Sequence, residues 1–385
     1  MLTGKKVLTK TNFKAKIDVR TYTMVGALIL LSIMFHILTD GMFFVTRNLS
    51  NLARQMAIVG VLATGMSLVI ISGNIDLSVG SVLGFLGGLS SVLIVWNQWG
   101  MIPTIVLILL LGMFIGLVQG TIIACCNVPA FIVTLGGLLV FKGGLLGLTK
   151  GTSIAPFPKA YVYIGQAYIS KPVGWVLAAV TIALLIMSEI NKRRSRMKYD
   201  LEVIPFNLMI ARATALSLLI LAFVAIMNSY RGIPVPVLLM LILVAVFTFI
   251  AEKTTFGRSI YAIGGNIEAA KFSGLNVRRN LITVYILNGL MAAIAGIILS
   301  ARLNAGTPTA GDGMELDAIA SAVIGGISMA GGEGKVPGAI LGALFMATID
   351  NGMSLMNVEA FWQYIVKGII LVGAIWFDLY TKNKR

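Results

Sequence analysis

Acids, thiols and imidazoles are all scarce in this chain: 385 residues hold 15 Asp and Glu, two Cys and one His. The cysteines, Cys125 and Cys126, are neighbours, so neither a disulfide framework nor a metal-ligand spacing can be built from them. His36 sits in the first apolar run, where a polar lining or a helix contact suits it better than catalysis. Hydrolytic and metal chemistry is thereby left without parts. A phosphate-cradling loop is missing too. "GGEGK" (331–335) is followed by Val336 instead of Ser or Thr, "GLTKG" (147–151) fails the same test, and no G-x-x-x-x-G-K-[ST] occurs. Charge in general is sparse, at 12% of residues, against roughly 25% in a soluble domain.

What fills the chain is apolar. Hydrophobic residues make up 58% and mean hydropathy is +0.93. Runs long enough to cross a core about 30 Å thick recur throughout, and the short alternating segments of a β-barrel do not. The predicted class is an all-α polytopic membrane protein of about 10–12 transmembrane helices. The net charge of +15 is gathered in patches beside these runs: Lys5, Lys6, Lys10, Lys14, Lys16 and Arg20; "KRRSRMK" (192–198); Lys253, Arg258, Lys271, Arg278 and Arg279; and "KNKR" (382–385). That placement marks cytoplasmic loops, including a basic cytoplasmic N-terminus over 1–20 and a cytoplasmic C-terminus. None of the patches has the interleaved aromatics of a nucleic-acid platform, so no nucleic acid is expected. "TYTMVGALILLSIMFHIL" reads as a retained first span, not a cleaved leader.

Spans are expected near 21–39, 50–71, 79–96, 102–124, 129–148, 172–190, 207–228, 234–251, 281–301 and 361–379, in one domain covering 1–385. Residues 315–352 hold two short apolar pieces joined by "GGEGKVPG", which suits a pair of discontinuous or re-entrant helices. A two-half pseudo-repeat is expected as well. "NVPAF" (127–131) recurs as "NVEAF" (357–361), and each follows an Asp-led, glycine- and serine-rich break, "IDLSVGSVLGFLGG" (75–88) or "LDAIASAVIGG" (316–326).

These breaks raise the functional question. A carboxylate at membrane depth costs on the order of 3 kcal/mol, so it should face a protein interior or a wet cavity. Asp76, Ser78, Ser81, Asp317 and Ser321 are therefore candidates for a translocation path. For Asp76, capping of the following helix is an equal alternative. Lys367 and Asp350 are expected to pair with each other or to line the same path. The absence of acids along successive helices makes an autonomous ion-coupled carrier the weaker reading. The segment 252–280 is amphipathic, and "EAAKFSG" (268–274) reads as a short helix stopped by glycine and suited to a groove on another protein.

At this point the chain resembles the permease subunits of bacterial ATP-binding-cassette importers of monosaccharides, the ribose, xylose and galactose type. "IDLSVGS" (75–81), "FGRSIYAIGGNIEAAKFSGLNV" (256–277), "ELDAIASAVIGGISMAGGEG" (315–334) and "FWQYIVKG" (361–368) carry the likeness, over nearly the whole chain. The extra pair of spans within 172–229 and "YRGIPVPVLLM" (230–240) look like the xylose branch, whereas "IAPFPKA" (154–160) is closer to the multiple-monosaccharide branch. The resemblance implies a non-enzymatic transport subunit in the cytoplasmic (inner) membrane, with D-xylose as the first expectation for cargo. It implies no cofactor on this chain, with ATP and Mg²⁺ used by a partner ATPase. It further implies an extracytoplasmic sugar-binding protein, a second permease copy in a homodimer and surrounding membrane lipid. Glu268, Ala269, Ala270 and Gly274 would then couple to the ATPase.

Overall fold

The computed structural model describes residues 19–199, 201, 203 and 205–383; the basic segment 1–18 and the last two residues of "KNKR" lie outside the described residues. The chain begins with α1 (Val19–Leu38), a 3₁₀ turn (Met42–Phe44), α2 (Thr46–Ile71), α3 (Val79–Ser91) with a π turn (Val92–Trp96), α4 (Met101–Cys125) and α5 (Ala130–Thr149). Next come α6 (Lys159–Gln166), β1 (Tyr168–Ile169), α7 (Lys171–Lys198), α8 (Phe206–Tyr230), β2 (Ile233–Pro234) and α9 (Val235–Lys253). The remainder is α10 (Thr255–Gly265), α11 (Ile267–Phe272), α12 (Val277–Leu303), α13 (Met314–Ile324), α14 (Gly338–Leu355) and α15 (Ala360–Asn383). The only sheet among the described residues is the antiparallel pair β1–β2, with Tyr168 opposite Pro234.

Nine of these helices are long and apolar enough to cross a membrane, and Thr23–Leu38 and Ala360–Trp376 add two shorter apolar helices. With these, eleven apolar helices fall within the expected range among the described residues, and α13, at 11 residues or about 16 Å, is too short to cross alone, as expected of the broken region. Several helices start directly after proline, whose preset φ suits the entry to a helix: Pro129, Pro158, Pro205 and Pro234. In the polar segment 252–280, where water competes for backbone groups, side-chain caps take over. Thr254 accepts from Gly257 N, Asn266 from Ala269 N and Asn276 from Arg279 N.

Three helices form the centre. In α2, 83% of the apolar window is buried, in α3 with its π turn 72% and in α12 67%, whereas the figure for α7 and for α8 is 11%. Around α2 and α12 the halves interlock. α12 packs on α2, α3 and α4, while α2 packs on α12, α13 and α14; α5 lies on α3 as α15 lies on α13. The short motif repeat has a backbone counterpart. Asn127 and Asn357 both adopt φ of 53°, and the next helix starts at Ala130 in one half and Ala360 in the other. Because successive spans alternate between the two ends, α2 and α12 run in opposite directions and the halves are inverted relative to each other.

Close backbone approach replaces side-chain interdigitation at the key contacts, as in other membrane bundles. Gly112, Gly116 and Gly120 form a stripe on α4. A β-carbon on Gly112 would come within 2.5 Å of the Gly289 carbonyl oxygen, and one on Gly116 would collide with that of Tyr285. Gly80 and Gly84 do the same on α3, against the segment that leads into α13, and Gly88 admits Leu145 of α5. Gly116→Ala is therefore expected to destabilise the fold by about 1–3 kcal/mol. Gly136→Ala, with open space beyond its α-carbon, is expected to leave stability unchanged. Thermal unfolding of the detergent-purified variants distinguishes them, and equal midpoints would contradict this packing.

Candidate translocation and coupling site

The first break, 72–78, joins the end of α2 to α3 inside the bundle. Asp76 is buried and fully engaged there. Its Oδ1 accepts from Ser78 N at 2.8 Å and Ser78 Oγ at 2.6 Å, and its Oδ2 accepts from Asn288 Nδ2 at 2.7 Å. Gln119 Nε2 donates to Ser78 Oγ at 2.9 Å. The carboxylate thus closes an Asx-type turn before α3 and ties it to α4 and α12. Tyr285 Oη and Asn288 Oδ1 are buried beside it without a protein partner. Ser81, on the first turn of α3, is buried as well.

The second break contains a charge cluster. Lys367 Nζ on α15 lies 2.8 Å from Asp317 Oδ2 on α13 and 3.0 Å from Asp350 Oδ2 on α14. Lys367 and Asp350 do pair; Asp317 is a third member whose part in the cluster the sequence had not indicated. Ser321 Oγ, one turn further along α13, is buried with no partner. All five path candidates, Asp76, Ser78, Ser81, Asp317 and Ser321, are thus enclosed within this chain, and none lies on its lipid-facing surface.

A different ion pair is partly exposed at the depth of a span. Lys142 Nζ on α5 sits 3.0 Å from Asp312 Oδ1 in the lead to α13, with side chains 46% and 28% exposed. Lys142 is twelve residues into α5, about 18 Å along its axis, so this charge lies in the interior of a span. Bare hydrocarbon is a costly neighbour for it; a water-filled route or a second protein surface suits it. At the end opposite the 252–280 segment, a cavity of about 480 Å³ is lined by Arg47, Asn48, Asn51, Arg54, Tyr168 and Arg231, among others. The Arg54 guanidinium lies 5.2 Å over the Tyr168 ring, and Arg302 donates to Asn51 Oδ1 at 3.3 Å. The sequence signals for these groups, a lysine in the middle of an apolar span and arginines early in α2, are single residues with no spacing pattern.

The 252–280 segment folds as two short helices lying under both breaks. Gly264 packs against the end of α2, where a β-carbon would collide with the Ile71 carbonyl oxygen, and its α-carbon lies against Gly73. From the second break, a β-carbon on Gly331 would come 2.9 Å from the Gly73 α-carbon, and one on Gly332 within 2.7 Å of Gly265. Gly332 N also donates to Ile71 O at 2.9 Å. Tyr261 Oη on α10 donates to Gly334 O at 2.7 Å. Burial, together with the nearby Glu252 carboxylate, raises the phenol above its ordinary pKa, so the donor keeps its proton at physiological pH. Three separated stretches meet here, mainly through backbone, with the Tyr261 hydroxyl as the side-chain link. On α11, Glu268 is exposed and 3.9 Å from Lys271, Ala269 N is capped by Asn266, Ala270 is buried, and Gly274 ends the helix with φ of 79°. Phe272 is 88% exposed, a large apolar side chain presented outward from this short helix.

Removing the cation from the second break should leave two carboxylates without a counter-charge in a dry setting. Lys367→Met is expected to cost about 3–5 kcal/mol. The Lys367→Met/Asp317→Asn/Asp350→Asn variant should recover much of that loss. Thermal unfolding of both variants checks this; a single variant as stable as the parent would show that the cluster does not hold α13 to α14 and α15.

Residues 48–375 match the family described as branched-chain amino acid transport system / permease component. The xylose transport system permease protein of Escherichia coli (strain K12) is 46% identical over 96% of this chain and 94% of that protein. Its namesake in Haemophilus influenzae is 46% identical over 97% of this chain and 99% of that protein. The ribose import permease protein of Escherichia coli (strain K12) is 34% identical over 87% of each. No solved structure matches the chain. On the extent of the family match and the full-length similarity to these permeases, the chain belongs to this family of transport-system permeases.

Proposed function

We propose that this chain is the membrane-embedded permease of an ATP-driven importer that brings D-xylose across the bacterial cytoplasmic membrane. The single observation that carries the coupling part is the glycine junction: α10 rests on the ends of both breaks and α11 follows it directly, so a push on α11 reaches both halves through α10. Near-full-length similarity to permeases named for xylose, at 46% identity, supports the choice of sugar over ribose, whose named relative stands at 34%. The chain itself carries no nucleotide-binding motif, so the work is assigned to a separate ATPase using ATP and Mg²⁺. Segment 252–280 is its docking element, with Phe272 and Glu268 presented to it and Gly274 fixing the exit of the helix.

The basic patches at 192–198 and 253–279 share one end of the bundle, which the positive-inside rule places in the cytoplasm along with both termini. The opposite end, with its arginine- and tyrosine-lined cavity, would receive sugar from an extracytoplasmic binding protein. A second copy would cover the α5 and Lys142–Asp312 face, with the sugar route between copies. Asp76, Ser78, Ser81, Asp317 and Ser321 then serve the route by holding its broken helices in place. The α7–α8 hairpin within 172–229 is a peripheral addition to the two repeated halves. Weak binding along such a route suits transport, since a deep well would slow release.

The test is uptake of labelled D-xylose into vesicles holding this permease, its ATPase and its binding protein. ATP-dependent uptake that an ion gradient cannot replace is the expected result; uptake by the permease alone on an ion gradient would overturn the reading. Phe272→Ala with Glu268→Lys is expected to reduce uptake about tenfold or more, in line with the loss of a buried aromatic anchor, while the amount of folded permease stays unchanged.

A further inference from the structure

The cavity at the end of the bundle opposite segment 252–280 carries charge that ordinary tendencies would remove. Arg47, Arg54 and Arg231 line it, and among the described residues no carboxylate does. Cations are expected at the end that bears the basic patches, and this is the other end. Helix electrostatics does not place them here either. Arg47 stands in the first turn of α2, which holds no acid, and a positive charge there opposes the helix dipole. Arg47, Asn51 and Arg54 follow one another at helical spacing, so α2 turns all three towards one side.

The rim and the floor of the cavity differ. Arg47 and Arg231 are exposed, and water can satisfy them. Arg231 lies 5.4 Å over the Tyr230 ring, which engages the face of the guanidinium and leaves its N–H edge free. Arg54 is deeper. Its Nε is buried and donates to no protein atom, while its guanidinium is positioned 5.2 Å over the Tyr168 ring. Arg302 of α12 reaches the same place: it donates to Asn51 Oδ1, one turn from Arg54, and the two like charges act on one another. No ion pair among the described residues neutralises Arg47, Arg54, Arg231 or Arg302. Like charges held close together repel, and a buried N–H without an acceptor is costly. One kind of ligand relieves both, an anion whose oxygens accept from several guanidinium forks at once. A neutral sugar uses these groups less well, because its hydroxyls must donate as well as accept and guanidinium groups only donate.

We infer that this cavity is an oxyanion site, in which Arg54 at the floor and Arg47 and Arg231 at the rim clamp a carboxylate or phosphate group. Its volume of about 480 Å³ has room for such a group and the water that stays with it. An anion seated at Arg54 also offsets the charge of Arg302, and so holds the neighbouring ends of α2 and α12 together. The group can be a free anion or an acidic side chain of the protein that docks at this end. The site does not depend on which sugar is carried.

The experiment uses the full chain purified without partner subunits, in nanodiscs of phosphatidylcholine, with thermal unfolding followed in low-salt buffer. Inorganic phosphate and, separately, glutarate at millimolar concentration are expected to raise the unfolding midpoint by about 2–4 °C, and sodium chloride at equal ionic strength is not. Arg54→Gln should lose the shift, and Arg54→Lys, which keeps the charge but not the fork, should keep only part of it. Should Arg54→Gln fail to fold, the rim variant Arg47→Gln/Arg231→Gln must still lower the shift measurably. Lys159→Gln/Lys171→Gln, a control at the same end but outside the cavity, should keep it. The absence of a shift with either anion, an equal shift with chloride, or an unchanged shift in the cavity variants would overturn the site, as would an equal loss in the control. Adding the sugar-binding protein identifies the source. A complex that phosphate weakens in the parent but not in the rim variant assigns the site to an acidic side chain of that partner, and a complex indifferent to phosphate assigns it to a free anion.

Discussion

Backbone groups in a bilayer cannot turn to water, and this constraint governs where the chain can afford to break its helices. The chain interrupts its helices at 72–78, ahead of α3, and on either side of α13, at 304–313 and 325–337, and each region is stitched by a polar device. Asp76 does it with Ser78, Asn288 and Gln119; Asp317 does it with Lys367 and Asp350. The devices differ because their positions differ. Asp76 precedes its helix and can accept from the free N–H groups at the start. Asp317 is already inside α13 and must find a cation on another helix. Two breaks with related sequences thus reach the same end by unlike chemistry.

Glycine supplies the second half of the arrangement. The stripes on α3 and α4 bring helix axes close enough for backbone to touch backbone, and the same device joins α10 to the ends of both breaks. Contacts of this kind have little side-chain slack to absorb displacement. A packed junction without slack transmits motion between rigid pieces instead of dissipating it, and that makes the position of α11 matter to helices more than a span away.

Much of this was legible in the sequence, for physical reasons that can be named. Long apolar runs follow from the bilayer itself, so they indicate the number of spans without any contact being known. The "NVPAF" and "NVEAF" pair read as a repeat, and the left-handed Asn127 and Asn357 show why: each motif reverses the chain between two spans in the same way. The cap at Asn266 and the stop at Gly274 are local, and local signals are the ones a linear reading can find. What escaped was long-range. Asp317 meeting Lys367, Asn288 meeting Asp76 across 212 residues, and Gly264 meeting Ile71 all depend on how spans are arranged around one another. Lys142 carried no spacing signal; only its exposure at depth beside Asp312 marks it.

The junction beneath the breaks is the centre of the account, and Tyr261→Phe tests it with the removal of one oxygen atom, the donor to Gly334 O. The quantity to measure is ATP hydrolysed per sugar imported by the reconstituted importer. If α10 links the energy source to both halves, that ratio rises several-fold as transport falls while hydrolysis continues. A ratio equal to that of the parent, with transport and hydrolysis both intact, would contradict it.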